Sequence, residues 1–321
     1  MATFLVRRVA VAVLLVFLVL TLLFFVLRLA PGDPRVFYDN DLLTAEQRQA
    51  LTQRLGLDEP PVIQYGRWLR SALVGNWGVS FSQKRPVAHI LAEALPATLL
   101  LTASALVLQY LFGILLGVFS ARRAGSAVDH LIRVGSLVLY ALPQFWLGLM
   151  ALLVLSYRLS LFPPGRMHDL DAAGLAPLPY LADLLHHLAL PALVLGAGSC
   201  GALARYVRNT MLDALEGDYI VAARARGLPE WRVVWVHALR NSLTPLTQLV
   251  GLSLPFLLSG ALVVEVVFSW PGMGRLVYLA VSDRDYPLVL GATALTAMVT
   301  VAGSLVADVL QAIADPRVRD A

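Results

Sequence analysis

Few side chains in this sequence can do chemistry, and several of them sit in apolar surroundings. Glu265 lies in "GALVVEVVF" and Asp308 lies near the end of the last apolar stretch. An ionisable group at membrane depth is costly and marks a functional position by default. Both are therefore candidates for a transport pathway or a partner interface. Gln109, Gln144 and Gln248 are polar residues within apolar runs. Such amides more often bond across helices than touch a solute, and Gln144 joins the pathway candidates. His186 and His187 are adjacent, so on a helix they point about 100° apart and do not define a shared metal site. Met167 and His168, with that pair, fall in one stretch between apolar runs, again without a metal-ligand spacing. Cys200 is the only cysteine, which excludes an intrachain disulfide. Lys84 is the only lysine and follows Gln83, so no Gly-Lys P-loop exists here to grip a nucleotide. No HExxH, GxSxG or Cys/His cluster occurs. The expectation is a chain without catalytic, metal or cofactor-binding residues of its own.

A different chemistry, that of a docking surface, is written into "DYIVAARARGLPEWRVVWVHALRN", residues 218–241. The alanines Ala222, Ala223 and Ala225 favour a short helix from Asp218 to Arg226. Gly227 supplies its stop, followed by Leu228. Pro229 suits the first turn of a second helix, and Glu230 sits favourably near that helix's positive end. The expected result is a helix–turn–helix elbow. Two alanines followed four residues later by glycine leave a small-residue surface able to seat a rigid partner closely.

The elements that must position these residues are membrane spans. The chain has 321 residues, of which 58% are hydrophobic and 14% charged. A soluble protein carries about 25% charge, so the bilayer is the main solvent here. The net charge of +4 comes from arginine. That matches basic cytoplasmic loops and does not imply nucleic acid. Val9 to Leu27 is uncharged for 19 residues, longer than a signal-peptide core of about 7–15, and reads as a retained span. Six spans are expected, near 9–29, 96–121, 134–157, 187–206, 243–268 and 287–312. The fourth is the weakest, with an uncharged run of only Leu188 to Ala204. Arginines 7, 8, 122, 123, 133, 205, 208, 224, 226, 232, 240, 317 and 319 fall on one side. The positive-inside rule makes that side, and both termini, cytoplasmic.

The segment 30–95 then lies outside. Thr44 and Gln47 stand at capping-box spacing with Gly56 as a stop. In "VIQYGRWLRSAL", Val62, Tyr65, Leu69 and Ala72 share a helical face. Two short amphipathic helices are expected, lying on the membrane, on a partner or packed as a surface loop. "GILLG", Gly113 to Gly117, lets two helices approach closely. The linear division is an N-terminal span 1–29, an outer loop 30–95, a five-helix membrane domain 96–312 holding the elbow 218–241, and a cytoplasmic tail 313–321.

The spacing Ala222-Ala223-x-x-x-Gly227 resembles the EAA loop of ABC-importer membrane subunits, although Val221 stands where the motif's name has Glu. "APGDP", "RLGLDEPPVIQYGRWL", "GNWGVSF", "LPATLLL", "ALPQFWLGL" and "HLALPALVLG" follow one another in order. After them come "ARYVRNTMLDAL", "HALRNSLTP", "VVEVVFSWPGMGRL", "DRDYP" and "DPRVR". Together they resemble the oligopeptide/dipeptide/nickel branch of ABC-importer permeases over nearly the whole chain. Asn76, Trp77 and Ala307 depart from the usual pattern. The resemblance implies an all-α type I importer permease fold with a cytoplasmic coupling helix, in a prokaryotic inner membrane. It implies a second homologous permease, two ATPase subunits that bind ATP and Mg, and an extracytoplasmic solute-binding protein. On this resemblance Ala222, Ala223, Arg226, Gly227, Leu228, Pro229 and Glu230 contact the motor. The expected solute is a di- or oligopeptide; nickel, a metal chelate or a glutathione-like solute is the alternative. An ion-coupled secondary transporter using Glu265 is a remoter alternative, which would show an inverted repeat that this sequence lacks.

Overall fold

The computed structural model describes residues 2–29, 59–243 and 261–314, with side chains over 7–27, 59–242 and 261–305. The expected capping-box helix at 44–56, Gln248, most of the fifth span, the Asp308 side chain and the tail beyond 314 lie outside these. Among the described residues, regular structure is helical apart from one isolated antiparallel bridge, Val79 to Pro86. Four helices are long and apolar enough to cross a membrane, or five if one bent pair is a single span.

Two compact units emerge: Met1–Ala97 with Gly272–Ala302, and Thr98–Pro271 with Gly303–Ala321. In the first, α1 (Ala2–Leu29) carries the expected first span. Helix α2 (Pro61–Leu73) packs on it. Tyr65 reaches Thr21 through a 2.6 Å hydroxyl contact, and Phe24 lies 5.3 Å from the Tyr65 ring and 5.7 Å from Trp68. The amphipathic face therefore covers α1. Val62, expected on that face, is 69% exposed, and Trp68 takes its place. The start of α3 (Val87–Arg122) packs through Val87, Ile90, Leu91 and Ala94 against α10 (Met273–Ser282) and α11 (Tyr286–Ala314). Helix α10 is an apolar element outside the six expected spans. The buried Asp285 carboxylate caps α11 at Leu288 N and accepts from Ser80 Oγ at 2.5 Å and Ser82 N at 2.9 Å.

The second unit centres on α6 (Pro177–Leu215), whose apolar stretch is mostly buried inside the protein. The span expected to be weakest is thus the longest helix among the described residues, with 39 residues. At 1.5 Å per residue it is about 58 Å long, against about 30 Å of hydrocarbon. Polar residues such as Arg208 fall in its extensions and hide the helix from a hydropathy reading. Gly113 and Gly117 do admit a close neighbour, as expected, and it is α6. A Cβ at Gly113 would sit 2.7 Å from Leu203 Cδ2; one at Gly117 would sit 2.8 Å from the Ala204 carbonyl.

The expected third span is bent rather than continuous. Helices α4 (Ala127–Ala141) and α5 (Gln144–Ala151, continuing as a π-helical segment Leu152–Arg158) meet at 106°. The ring of Pro143 drives Leu142 out of the helical region. Leu142 and Pro143 are both extended, at ψ 132° and 134°.

Candidate functional site

The elbow forms as its sequence dictates. Helix α7 (Asp218–Ala225) ends in a Schellman motif. Gly227 N donates to the Arg224 carbonyl at 2.9 Å, and Leu228 N to the Ala223 carbonyl at 3.3 Å. Gly227 adopts φ 76°, a conformation that costs a side-chain-bearing residue about 1–2 kcal/mol. Pro229 is the N-cap of α8 (Glu230–Arg232). The chain then passes through a π-helical segment, Val233–Ala238, into α9 (Leu239–Leu243). That π segment was expected to be plain α-helix; π-bulges are rare and frequent at functional sites.

The burial pattern divides the elbow into a core and a tip. Ile220, Ala223, Val233, Val234 and Ala238 are buried with Val118, Ala121, Val207 and Met211, and Leu228 packs against them. Val221, Ala222, Arg226, Gly227, Pro229, Glu230 and Trp231 are exposed. The expected smooth surface of two alanines is corrected here. Helical geometry sends Ala222 outward and Ala223 into the core. Arg224 spans the turn to Glu230 at 2.8 Å. Each partner favours the other's charged form, so the Glu230 carboxyl is held below its usual value and the Arg224 guanidinium above its own.

In the same unit lies a clamp that local sequence signals did not reveal. Asp129 is 1% exposed. Arg208 on α6 donates to it twice, Nε to Oδ1 and Nη2 to Oδ2, both at 2.7 Å. Ser120 Oγ donates at 2.5 Å and Gly125 N at 2.9 Å. One carboxylate thus ties the end of α3, the following turn, the first turn of α4, and α6. Its local signal was Ser126 three residues before Asp129: the Ser126 hydroxyl caps α4 by accepting from Asp129 N at 3.3 Å.

Glu265, in the helical stretch 261–267, is fully enclosed and accepts from Thr98 Oγ1 at 2.6 Å. Gln144 is half-buried and opens α5 at the bend. Asp308 lies on α11. His186 reaches the Leu161 carbonyl at 2.9 Å, whereas His187 turns to the Asp183 carbonyl at 2.9 Å. The two imidazoles point apart, as the helical spacing requires.

Residues 113–320 match the family described as binding-protein-dependent transport system inner membrane component. Residues 1–102 match its N-terminal counterpart. The oligopeptide transport system permease protein AppB of Bacillus subtilis (strain 168) is 37% identical over 99% of both chains. The di/tripeptide transport system permease protein DppB of Pseudomonas aeruginosa (strain UCBPP-PA14) is also 37% identical over 99% of both. A putative peptide permease protein of Brucella suis biovar 1 (strain 1330) is 40% identical over 94% of both. With family matches over most of its length and apolar helices able to cross a bilayer, this chain belongs to the inner membrane components of binding-protein-dependent transport systems.

Proposed function

We propose that the chain is the permease subunit of an ATP-driven importer of di- and oligopeptides. It spans a prokaryotic inner membrane six times with both termini inside, and supplies half of the translocation pathway. Its partners are a second permease of the same kind, two ATPase subunits that bind ATP and Mg, and an extracytoplasmic binding protein. The names of the three relatives above, an oligopeptide, a di/tripeptide and a peptide permease, support the solute class.

The observation that carries the coupling role is the two-sided elbow. Its tip, with Ala222, Arg226, Gly227, Pro229 and Glu230, is open to a partner, while Ala223 and Leu228 root it in the core. A partner gripping the tip therefore moves α6 and α3 with it, because their side chains share that core. Rigid elements of this kind carry a switching motion between sites. Gln144, Glu265 and Asp308 are assigned to the pathway or an interface. Glu265 meets solute or a partner only when the helices around it rearrange, as an alternating pathway requires.

The test uses the complete transporter in proteoliposomes. ATP hydrolysis is measured with the binding protein loaded with short peptides or with a nickel chelate. Stimulation by peptide is expected. Stimulation by the chelate alone overturns the solute class and leaves the coupling role standing.

A further inference from the structure

Between the π-helical end of α5 and the first turns of α6, the fold gathers His168, Asp169, Asp183 and His187. We propose that Asp169, Asp183 and His187 form a binding site for one divalent transition cation.

His187 is the anchor. Its side chain is 2% exposed. Its Nδ1 donates to the Asp183 backbone carbonyl at 2.9 Å. A carbonyl only accepts, so Nδ1 carries the proton, and in the neutral ring the lone pair sits on Nε2. That nitrogen makes no hydrogen bond; it faces Asp169 Oδ1 at 3.6 Å. An imidazole held by one nitrogen on a backbone carbonyl, with the other bare, is the arrangement of metal-bound histidines. Two ligands about 2.1 Å from a tetrahedral cation lie about 3.4 Å apart, close to the observed gap. One ligand atom from each of Asp169, Asp183 and His187 lies within 4.8 Å of the other two.

The surrounding contacts orient this set. His168 Nδ1 donates to Asp183 Oδ2 at 2.7 Å, and its ring stacks on Tyr180 at 4.3 Å. Asp169 N reaches Asp183 Oδ1 at 3.4 Å. The Asp183 carboxylate is therefore held beside His187 by His168, which is not itself a ligand. One imidazole nitrogen with carboxylate oxygens suits zinc, nickel or cobalt, whereas magnesium and calcium take oxygen alone. Three protein ligands leave a fourth position for water. The site was invisible to a search for paired histidines, because two of its three ligands are aspartates and one comes from a loop.

The experiment is equilibrium dialysis of the purified full-length chain in detergent, stripped with chelator, against zinc chloride and then nickel chloride. One zinc per chain is expected. Asp169→Asn and His187→Gln should each weaken it at least about tenfold. Asp169 is 78% exposed, so its substitution removes no packing and keeps the test valid should His187→Gln misfold. No stoichiometric binding by the unmodified chain, or equal binding by Asp169→Asn, overturns the proposal.

Discussion

Two arginine–carboxylate pairs in one unit make opposite use of the same chemistry. Arg208 and Asp129 are 16% and 1% exposed and meet through two parallel 2.7 Å bonds. Arg224 and Glu230 are 47% and 53% exposed and meet at the tip of the elbow. Water and salt screen the second pair, and such pairs contribute about 0–1 kcal/mol. Removing one partner of a buried pair costs about 3–5 kcal/mol, because the other charge is left without compensation. The clamp therefore holds helices together, whereas the tip pair can be exchanged for contacts with another protein. Rigidity is placed under the surface and availability on it.

The sharpest attempt to break this comparison is Arg208→Ala. It strands the Asp129 carboxylate and should lower the unfolding free energy of the detergent-solubilised chain by about 3–5 kcal/mol. A loss no larger than that of a tip variant would end the contrast. Gly227→Val comes next. A β-branched residue at φ 76° strains the turn by about 1–2 kcal/mol or more. The chain should still insert, while ATP hydrolysis by the complex separates from uptake. Unchanged uptake would remove the turn from the coupling path.

Glu230→Gln should have the smallest effect, within about 1 kcal/mol of stability, with its consequence read as weaker association of the ATPase subunits. The pH dependence has a definite sign. Because the folded Glu230 carboxyl titrates below its ordinary value of 4.5, the pair stabilises the fold above that value. Its contribution is lost as pH falls through the lowered folded value. Thermal melts from pH 6 to pH 3 should show this small loss in the native chain and not in Glu230→Gln. An identical decline in both would assign it elsewhere.

Much of the candidate site was legible in the sequence because its signals are local. Gly227 and Pro229 mark the turn by backbone conformation alone, and the alanines before them favour helix. The Gly113/Gly117 pair announced a close helix contact. Asp129 escaped because its importance comes from Arg208, 79 positions away, and from burial that no local pattern reports. Met273–Ser282 escaped because a ten-residue apolar helix is too short for a span and too interrupted for a clear period.

By itself, the sequence determined the membrane class, the first span, the elbow and its turn, since hydropathy, arginine bias and backbone preferences act within a few residues. Tertiary structure decided the 106° break at Leu142–Pro143, the inward turn of Ala223, the enclosure of Glu265 and the meeting of Asp169, Asp183 and His187. Each depends on which face of a helix meets which neighbour, and on how far a chain bends at a proline. Packing sets those outcomes by excluding water and shape misfits, and residue order alone does not encode them locally.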